Sequence, residues 1–313
     1  MKRKAKVVVV MGGSSAERDV SIQSGSRVLS ALASLGYDAD GADYDERFVE
    51  IIRERKPDVV FNALHGPGGE DGHVQAVLEY LGVPYTGSGV EASSLSMDKH
   101  LTKKLIAGEG LPTPAWDLFD LSGGTLPLLP GSLDLPLVVK PRFEGSSIGV
   151  AIVRTHEQWT AAMLSASKTY SQILAEEYVE GREFHGSVLG EEALPIVEVL
   201  ANGSEFYSFD AKYEPGGSTH IAPAQIDDDL AARLQMLALS AHRLLGLRDC
   251  SRTDFIVSRD LRPQILEINS LPGLTDRSLL PDACACVGIT FEALIDRLVG
   301  YALARGDLRD AVA

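Results

Sequence analysis

Arg252-Thr253-Asp254 and Glu267-Ile268-Asn269, joined through a turn near Asp260-Leu261, are the two arms whose reading decides the fold. Both read as strands, along which successive side chains point to opposite faces. With the turn placed there, Asp254 falls opposite Glu267 and Arg252 opposite Asn269, which puts all four side chains on one face. Phe255, Leu266 and Ile268 then point to the other. Two carboxylates and an amide oxygen converging on one face suit a hard cation with oxygen ligation, completed by water and nucleotide phosphates. The plain alternative is a surface hairpin with a salt bridge. The apolar opposite face and the Pro272-Gly273 that follows favour a site.

Upstream, Glu144-Gly145-Ser146-Ser147-Ile148-Gly149 lies between two strand-like runs, Leu137–Lys140 and Val150–Arg154. Its glycines and serines offer backbone N–H groups that can turn toward phosphate oxygens. No Gly-Lys-Ser/Thr is present, so it is not a P-loop. Taken alone it reads first as an ordinary glycine hairpin turn. Lys140, at the end of the preceding strand, supplies a positive charge where a phosphate would lie, and Lys99 and Lys212 are further candidates. Each lysine taken singly reads as a solvated surface charge.

A chain of 313 residues, 45% of them hydrophobic, predicts two or three modest domains with buried cores. The net charge of −15 argues against nucleic acid or an anionic membrane as a bulk partner. The basic start is followed by an apolar stretch only from Val7 to Met11, too short for a signal-peptide core or a membrane span. Cys250, Cys284 and Cys286 are an odd number without zinc-ligand spacing, and read as thiols of a reducing compartment. The expectation is a soluble cytoplasmic protein.

The first ninety or so residues alternate strand and helix. Lys6–Met11 and Asp58–Ala63 read as strands buried on both faces. Helical spacing links Val28, Leu29, Leu32 and Leu35 before Gly36, then Phe48, Ile51 and Ile52, then Val74, Val77, Leu78 and Leu81. The pattern predicts a small open parallel α/β sheet. Leu121–Pro136 has no clear period and reads as a connection. Beyond it, hairpin-like pairs are expected: Leu137–Lys140 with Val150–Arg154, Ile173–Val179 with Glu183–Leu189, and Asp254–Val257 with Gln264–Asn269. Helices fall around Glu157–Ser167 and Asp228–Leu245, and a last one on Phe291, Leu294, Ile295, Leu298 and Val299 is capped by Thr290. The expected domains are 1–94, 95–181 and 182–313.

Two N-terminal loops, Gly12–Arg18 and His65–Gly72, follow the C-terminal ends of predicted strands, where open α/β sheets bind ligands. A dinucleotide reading of Gly12-Gly13, with Asp38 or Asp40 as the ribose acid, lacks the Gly-x-Gly-x-x-Gly spacing. His65 alone reads as a structural loop histidine.

The ordered set resembles the D-alanine–D-alanine ligase family of the ATP-grasp superfamily. The matching residues are Gly12-Gly13-Ser14-Ser15-Ala16-Glu17-Arg18-Asp19-Val20-Ser21, His65–Gly72 and Pro84-Tyr85-Thr86-Gly87-Ser88-Gly89. Ser96-Met97-Asp98-Lys99, Val139-Lys140-Pro141, Glu144–Gly149, Ala211-Lys212-Tyr213, Arg252-Thr253-Asp254 and Glu267–Gly273 continue it in order. The resemblance spans almost the whole chain. It implies an ATP-grasp architecture, with an open parallel α/β domain and two further α+β domains enclosing the nucleotide. The implied reaction phosphorylates one D-alanine carboxylate with ATP and lets the amine of a second D-alanine displace phosphate.

By this match Lys99, Lys140, Ser147 and Lys212 meet the nucleotide phosphates, and Glu176, Val179 and Glu183 meet adenine and ribose. Asp254, Glu267 and Asn269 hold two magnesium ions, with manganese as a substitute. Glu17 fixes the ammonium of the first D-alanine, with His65 near its carboxylate. Arg252 and the Gly273 N–H stabilise the oxyanion. Ser278 and Leu279 receive the second carboxylate. Tyr213 and Ser146 join Glu17 when the lids close, and Tyr213 implies dipeptide rather than depsipeptide formation. Glu177 stands where relatives often carry lysine, and Ser270 where threonine is common. A homodimer is implied by the family alone. The rival readings are another ATP-grasp ligase joining different amino acids or a hydroxy acid, a dinucleotide-dependent oxidoreductase, and a non-catalytic nucleotide-binding module.

Overall fold

The computed structural model of the chain describes residues 4–124, 126–129, 131–202 and 216–310, with side chains up to 306. Strand β1 (Lys6–Met11) lies between β2 (Asp38–Asp43) and β3 (Val59–Asn62) in a parallel sheet of order β2-β1-β3. Its four valines are fully buried, and successive ones serve different cores. Val7 and Val9 pack with Val28 and Leu32 of α1 (Arg18–Ser34), while Val8 and Val10 pack with Phe48 and Ile52 of α2 (Phe48–Arg55) and Leu78 of α3 (His73–Tyr80). Period-two alternation thus feeds two layers of helices, each valine contributing about 1.5–3 kcal/mol of burial. Gly36, at φ +79°, ends the turn after α1. Strand β2 escapes the sequence reading because Asp38 and Asp40 face solvent on a sheet edge, where no apolar run is required.

Helices α4 (Val90–Met97) and α5 (Lys99–Gly108) lead to a four-stranded antiparallel sheet. Its order is β4-β7-β5-β6, from β4 (Trp116–Asp120), β5 (Leu137–Pro141), β6 (Ala151–Val153) and β7 (Gln172–Glu177), and α6 (His156–Ala166) covers it through Trp159 and Met163. The β5–β6 pair forms as expected.

A six-stranded sheet follows the order β11-β10-β8-β12-β13, with β9 beside β8. It comprises β8 (Gly181–Leu189), β9 (Glu192–Ala193), β10 (Val197–Ala201), β11 (Ser218–Ile221), β12 (Cys250–Ser258) and β13 (Pro263–Asn269). One expected hairpin is overturned: β7 pairs with β4 and β5, and β8 with β10 and β12. The segment between them, Tyr178 to Glu180, passes from one sheet to the other, so adjacency in sequence is not pairing in space. Helix α7 (Asp228–Leu244) packs on the large sheet through Leu234 and Ala238. Helices α8 (Leu279–Ala285) and α9 (Phe291–Asp310) return to the N-terminal sheet, and Leu280, Leu294 and Leu298 share a core with Val7 and Val9. The Ala293 N–H donates to Thr290 Oγ1 at 3.2 Å, the cap expected there.

In the β12–β13 hairpin, Arg252 faces Asn269 and Asp254 faces Glu267. A register shift follows Asp254, so Phe255 pairs with Ile265. The expectation for Leu266 is therefore corrected. The bulge gives the core position to the fully buried Ile265 and turns Leu266 into a cleft. No helix among the described residues is long and apolar enough to cross a membrane.

Candidate functional site

Two cavities meet between the sheets. The larger, about 390 Å³, separates the β5–β6–β7 face from the β8–β10–β12–β13 face, a volume in the small-molecule range. Val138, Ile152, Ile256 and Leu266 give it apolar walls, and Lys140, Ser147, Glu176, Val179 and Glu183 also line it. The smaller, about 80 Å³, is lined by Glu17, His65, Ser146, Arg252, Asn269, Gly273, Ser278 and Leu279. Lys99, Glu144, Gly145 and Glu267 belong to both. A group carried in one cavity can thus reach a group held in the other across this shared wall.

Asp98 places Lys99. Its carboxylate caps α5 by accepting the His100 and Leu101 N–H groups, and the Arg142 guanidinium grips the same carboxylate from the end of β5. Lys99 Nζ donates to the Glu144 carbonyl and lies 3.4 Å from Glu267. Deeper, the buried carboxylate of Glu176 sits between two ammonium groups, Lys140 at Oε1 and Lys103, 3.0 Å away, at Oε2. Lys103 also donates to Thr113 Oγ1 at 2.5 Å and to the Pro114 carbonyl at 3.1 Å. The sequence reading overlooks Lys103, although its four-residue spacing from Lys99 on a helix is the available signal.

Burial pushes the Lys103 ammonium down to about 8, against the pull of Glu176 and with help from Lys140. Burial would raise Glu176, but the two lysines overcome it and hold the carboxyl below its usual range. Since Lys103 titrates lower in the folded chain than in the unfolded one, the unfolded chain binds more protons between pH 8 and 10.5. Its contribution to stability therefore rises with pH across that window, by on the order of 3 kcal/mol in all. Urea unfolding of the wild type and Lys103→Met at several pH values should show this rise in the wild type alone; parallel curves would refute it. The Glu176 contribution runs the other way, present above the ordinary carboxylate range and lost as pH falls through the folded value.

On β12 the Asp254 carboxylate accepts Arg252 Nε at 2.6 Å and Nη2 at 2.9 Å, and lies 2.7 Å from His185 Nδ1. Burial opposes its charge, yet Arg252 and His185 hold it far below the usual carboxylate range. His185 Nε2 lies 3.4 Å from Glu183, so this buried histidine bridges the two acids. Nothing in the sequence marks it except its place on a strand beside β12. Asn269 Oδ1 accepts the Leu271 N–H at 2.8 Å. Two carboxylates and an amide on one face fit magnesium, which keeps waters and takes one or two carboxylates plus substrate phosphates. Among the described residues no group of three His, Cys, Asp or Glu side chains could hold a metal.

In the smaller cavity His65 lies 3.2 Å from Glu70 and 3.1 Å from Ser24. Glu17, at the start of α1, is buried, and Ser146 Oγ donates to its Oε1. Ser146 and Ser147 both take left-handed backbone, at φ 49° and 59°, which turns the loop down onto Glu17. A Cβ on Gly145 would stand 3.0 Å from Glu17 Oε2, and one on Gly66 2.8 Å from it. Gly66 also has φ +71°. Gly66→Ala should therefore cost about 1–3 kcal/mol, read as a lowered urea midpoint; an unchanged midpoint would show that the Glu17 carboxylate moves aside freely. A Cβ on Gly273 would meet Ser278 Oγ at 2.8 Å, so the oxyanion and carboxylate candidates are close neighbours. Lys212 and Tyr213 lie outside the described residues.

The family profile described as the D-ala D-ala ligase C-terminus matches residues 105–300, and that of the N-terminus matches residues 40–88. The chain is 42% identical over 307 residues to a D-alanine–D-alanine ligase of Moorella thermoacetica, covering 95% of this chain and 99% of the relative. It is 44% identical over 306 residues to one of Chelativorans sp., covering 95% and 97%. A crystal structure of D-alanine–D-alanine ligase from Bacillus anthracis complexed with ATP superposes with a TM-score of 0.85 at 29% identity, covering 97% of this chain and 99% of that one. The architecture is that of the ATP-grasp ligases. Matched in both halves and along nearly its whole length, the chain belongs to the D-alanine–D-alanine ligase family.

Proposed function

We propose that this protein joins two D-alanine molecules at the expense of ATP, through an acyl phosphate, for peptidoglycan precursor synthesis. The observation that carries this reading is the shared wall of the two cavities, which sets a nucleotide cleft against an acid-lined chamber at Lys99 and Glu267. ATP lies in the larger cavity, with adenine between Ile152, Ile256 and Leu266 and the ribose toward Glu183. Lys99 and Lys140, with Ser147 of the loop, meet its phosphates, and Lys212 adds to them. Asp254, Glu267 and Asn269 would hold magnesium, which when bound would supply charge to neutralise the phosphates.

The first D-alanine places its ammonium on Glu17 and its carboxylate toward His65 and the shared wall. Its carboxylate oxygen attacks the γ-phosphorus; the bond to the β-bridging oxygen breaks and ADP leaves with that electron pair. Carboxylate is a poor electrophile, and phosphorylation supplies its leaving group. The amine of the second D-alanine, held through Ser278 and Leu279, then adds to the acyl carbon. Arg252 and the Gly273 N–H stabilise the oxyanion; as it collapses, the nitrogen gives up a proton and phosphate departs with the electron pair of its bond to the acyl carbon, leaving the amide. Alignment and charge neutralisation are the main contributions. The loop docked on Glu17 through Ser146, with Tyr213, keeps water from the acyl phosphate.

The chain divides into domains 1–94, 95–181 and 182–313, acts as a homodimer and resides in the cytoplasm. Incubated with ATP, Mg²⁺ and D-alanine, the protein should release phosphate and D-alanyl-D-alanine in equal amounts. Release only with a different acceptor would transfer the reading to another ligase of the superfamily.

A further inference from the structure

We propose that Arg277 selects the second amino acid by its carboxylate, an inference that rests on the ligase reading above and names a residue which that reading leaves without a task. Arg277 lines the smaller cavity beside Ser278. Among the described residues, the other cationic side chains there are engaged. Lys99 is held by Glu144 and Glu267, Arg252 by Asp254, and His65 stands between Ser24 and Glu70. Among the described residues, the Arg277 side chain makes no ion pair and no hydrogen bond; only its backbone N–H is used, donating to Thr275 Oγ1 at 3.3 Å.

The acid beside it in sequence is turned away. Asp276 pairs with Arg27 of α1, 2.9 Å from Nε. Arg27 Nη1 also donates to the Leu274 carbonyl at 3.0 Å and the Thr275 carbonyl at 2.8 Å, and its guanidinium lies 3.7 Å above the Phe291 ring. Thr275 N–H in turn donates to Ser278 Oγ at 2.9 Å. The loop from Leu274 to Ser278 is thus clamped from α1, and it carries a half-buried guanidinium with no counter-ion into a cavity rich in acids.

The chemistry requires such a charge. The first substrate's carboxylate is consumed in forming the acyl phosphate, whereas the second stays anionic from entry to product. It must sit near Glu17, Glu70 and Glu267, all in the same cavity wall. Without a cation of its own it would be repelled. A planar, weakly hydrated guanidinium matches a carboxylate with two parallel N–H donors, and Ser278 adds a neutral one.

The test is a competition. The enzyme is given ATP, Mg²⁺ and D-alanine together with D-alaninamide, and the ratio of D-alanyl-D-alanine to D-alanyl-D-alaninamide is measured. Only D-alanine can be the donor, so the ratio reads the acceptor site and is insensitive to the fraction of folded enzyme. The differing basicity of the two amines cancels between enzymes compared at one pH. Wild type should favour the acid, and Arg277→Gln should shift the ratio toward the amide by about 10- to 100-fold. Arg277→Lys should fall between. Equal ratios in wild type and Arg277→Gln would overturn the proposal while leaving the ligase reading intact. A wild type that makes neither product would instead remove the reading on which it rests.

Discussion

Replacing Glu176 by glutamine is expected to destabilise the folded protein by about 3–5 kcal/mol. The carboxylate is 2% exposed and is the shared counter-ion of Lys103 and Lys140, which are 1% and 5% exposed. Glutamine keeps the shape but leaves two buried ammonium groups facing one another without an anion. Both are held from behind, Lys103 by Thr113 and Pro114 and Lys140 near the Leu266 carbonyl, so neither can swing out to water without breaking those contacts. Solvent screening is weak at this depth, which separates the triad from exposed pairs such as Arg259 with Glu180. Urea unfolding monitored by circular dichroism measures the loss. Adding Lys103→Met to Glu176→Gln should recover part of it, because one orphaned charge is then gone. A loss below about 1 kcal/mol would mean that the lysines deprotonate or move at little cost.

Arg252→Ala is expected to lower kcat by about 10²–10³-fold, the usual effect of removing one donor to an oxyanion. The geometry adds a second consequence. The Arg252 fork also holds Asp254, so its removal leaves that buried carboxylate to His185. The variant should therefore show a changed magnesium requirement along with the lower kcat, whereas Arg252→Lys should restore part of the Asp254 contact and little of the rate. Steady-state rates at varied Mg²⁺ and saturating ATP and D-alanine separate the two effects. Near-normal turnover in Arg252→Ala would remove the residue from the oxyanion role.

Much of the site was legible because its residues are local. The hairpin around Asp260-Leu261 sets the register of Asp254 with Glu267 and of Arg252 with Asn269 by strand alternation alone. The β-branched run of β1 and the short helices after it likewise follow from periodicity. Legibility failed where the cause is not local. The bulge that sends Leu266 into the larger cavity has no residue of its own to announce it. The edge strand β2 carries aspartates because only one of its sides is paired. Strands β7 and β8 look like a hairpin and belong to different sheets, and that parting opens the cleft between them.

By itself the sequence determined the alternation of strand and helix, the facing acids of the β12–β13 hairpin and the glycine-rich loop, since backbone sterics and hydrophobic period act within a few residues. Only the tertiary structure decided which charges neutralise which. Lys103 meets Glu176, His185 meets Asp254, Arg27 meets Asp276 and Ser146 meets Glu17 across long stretches of chain. The physical reason is that a buried charge is stabilised by whatever partner packing brings within a few ångströms, and sequence distance does not enter that energy.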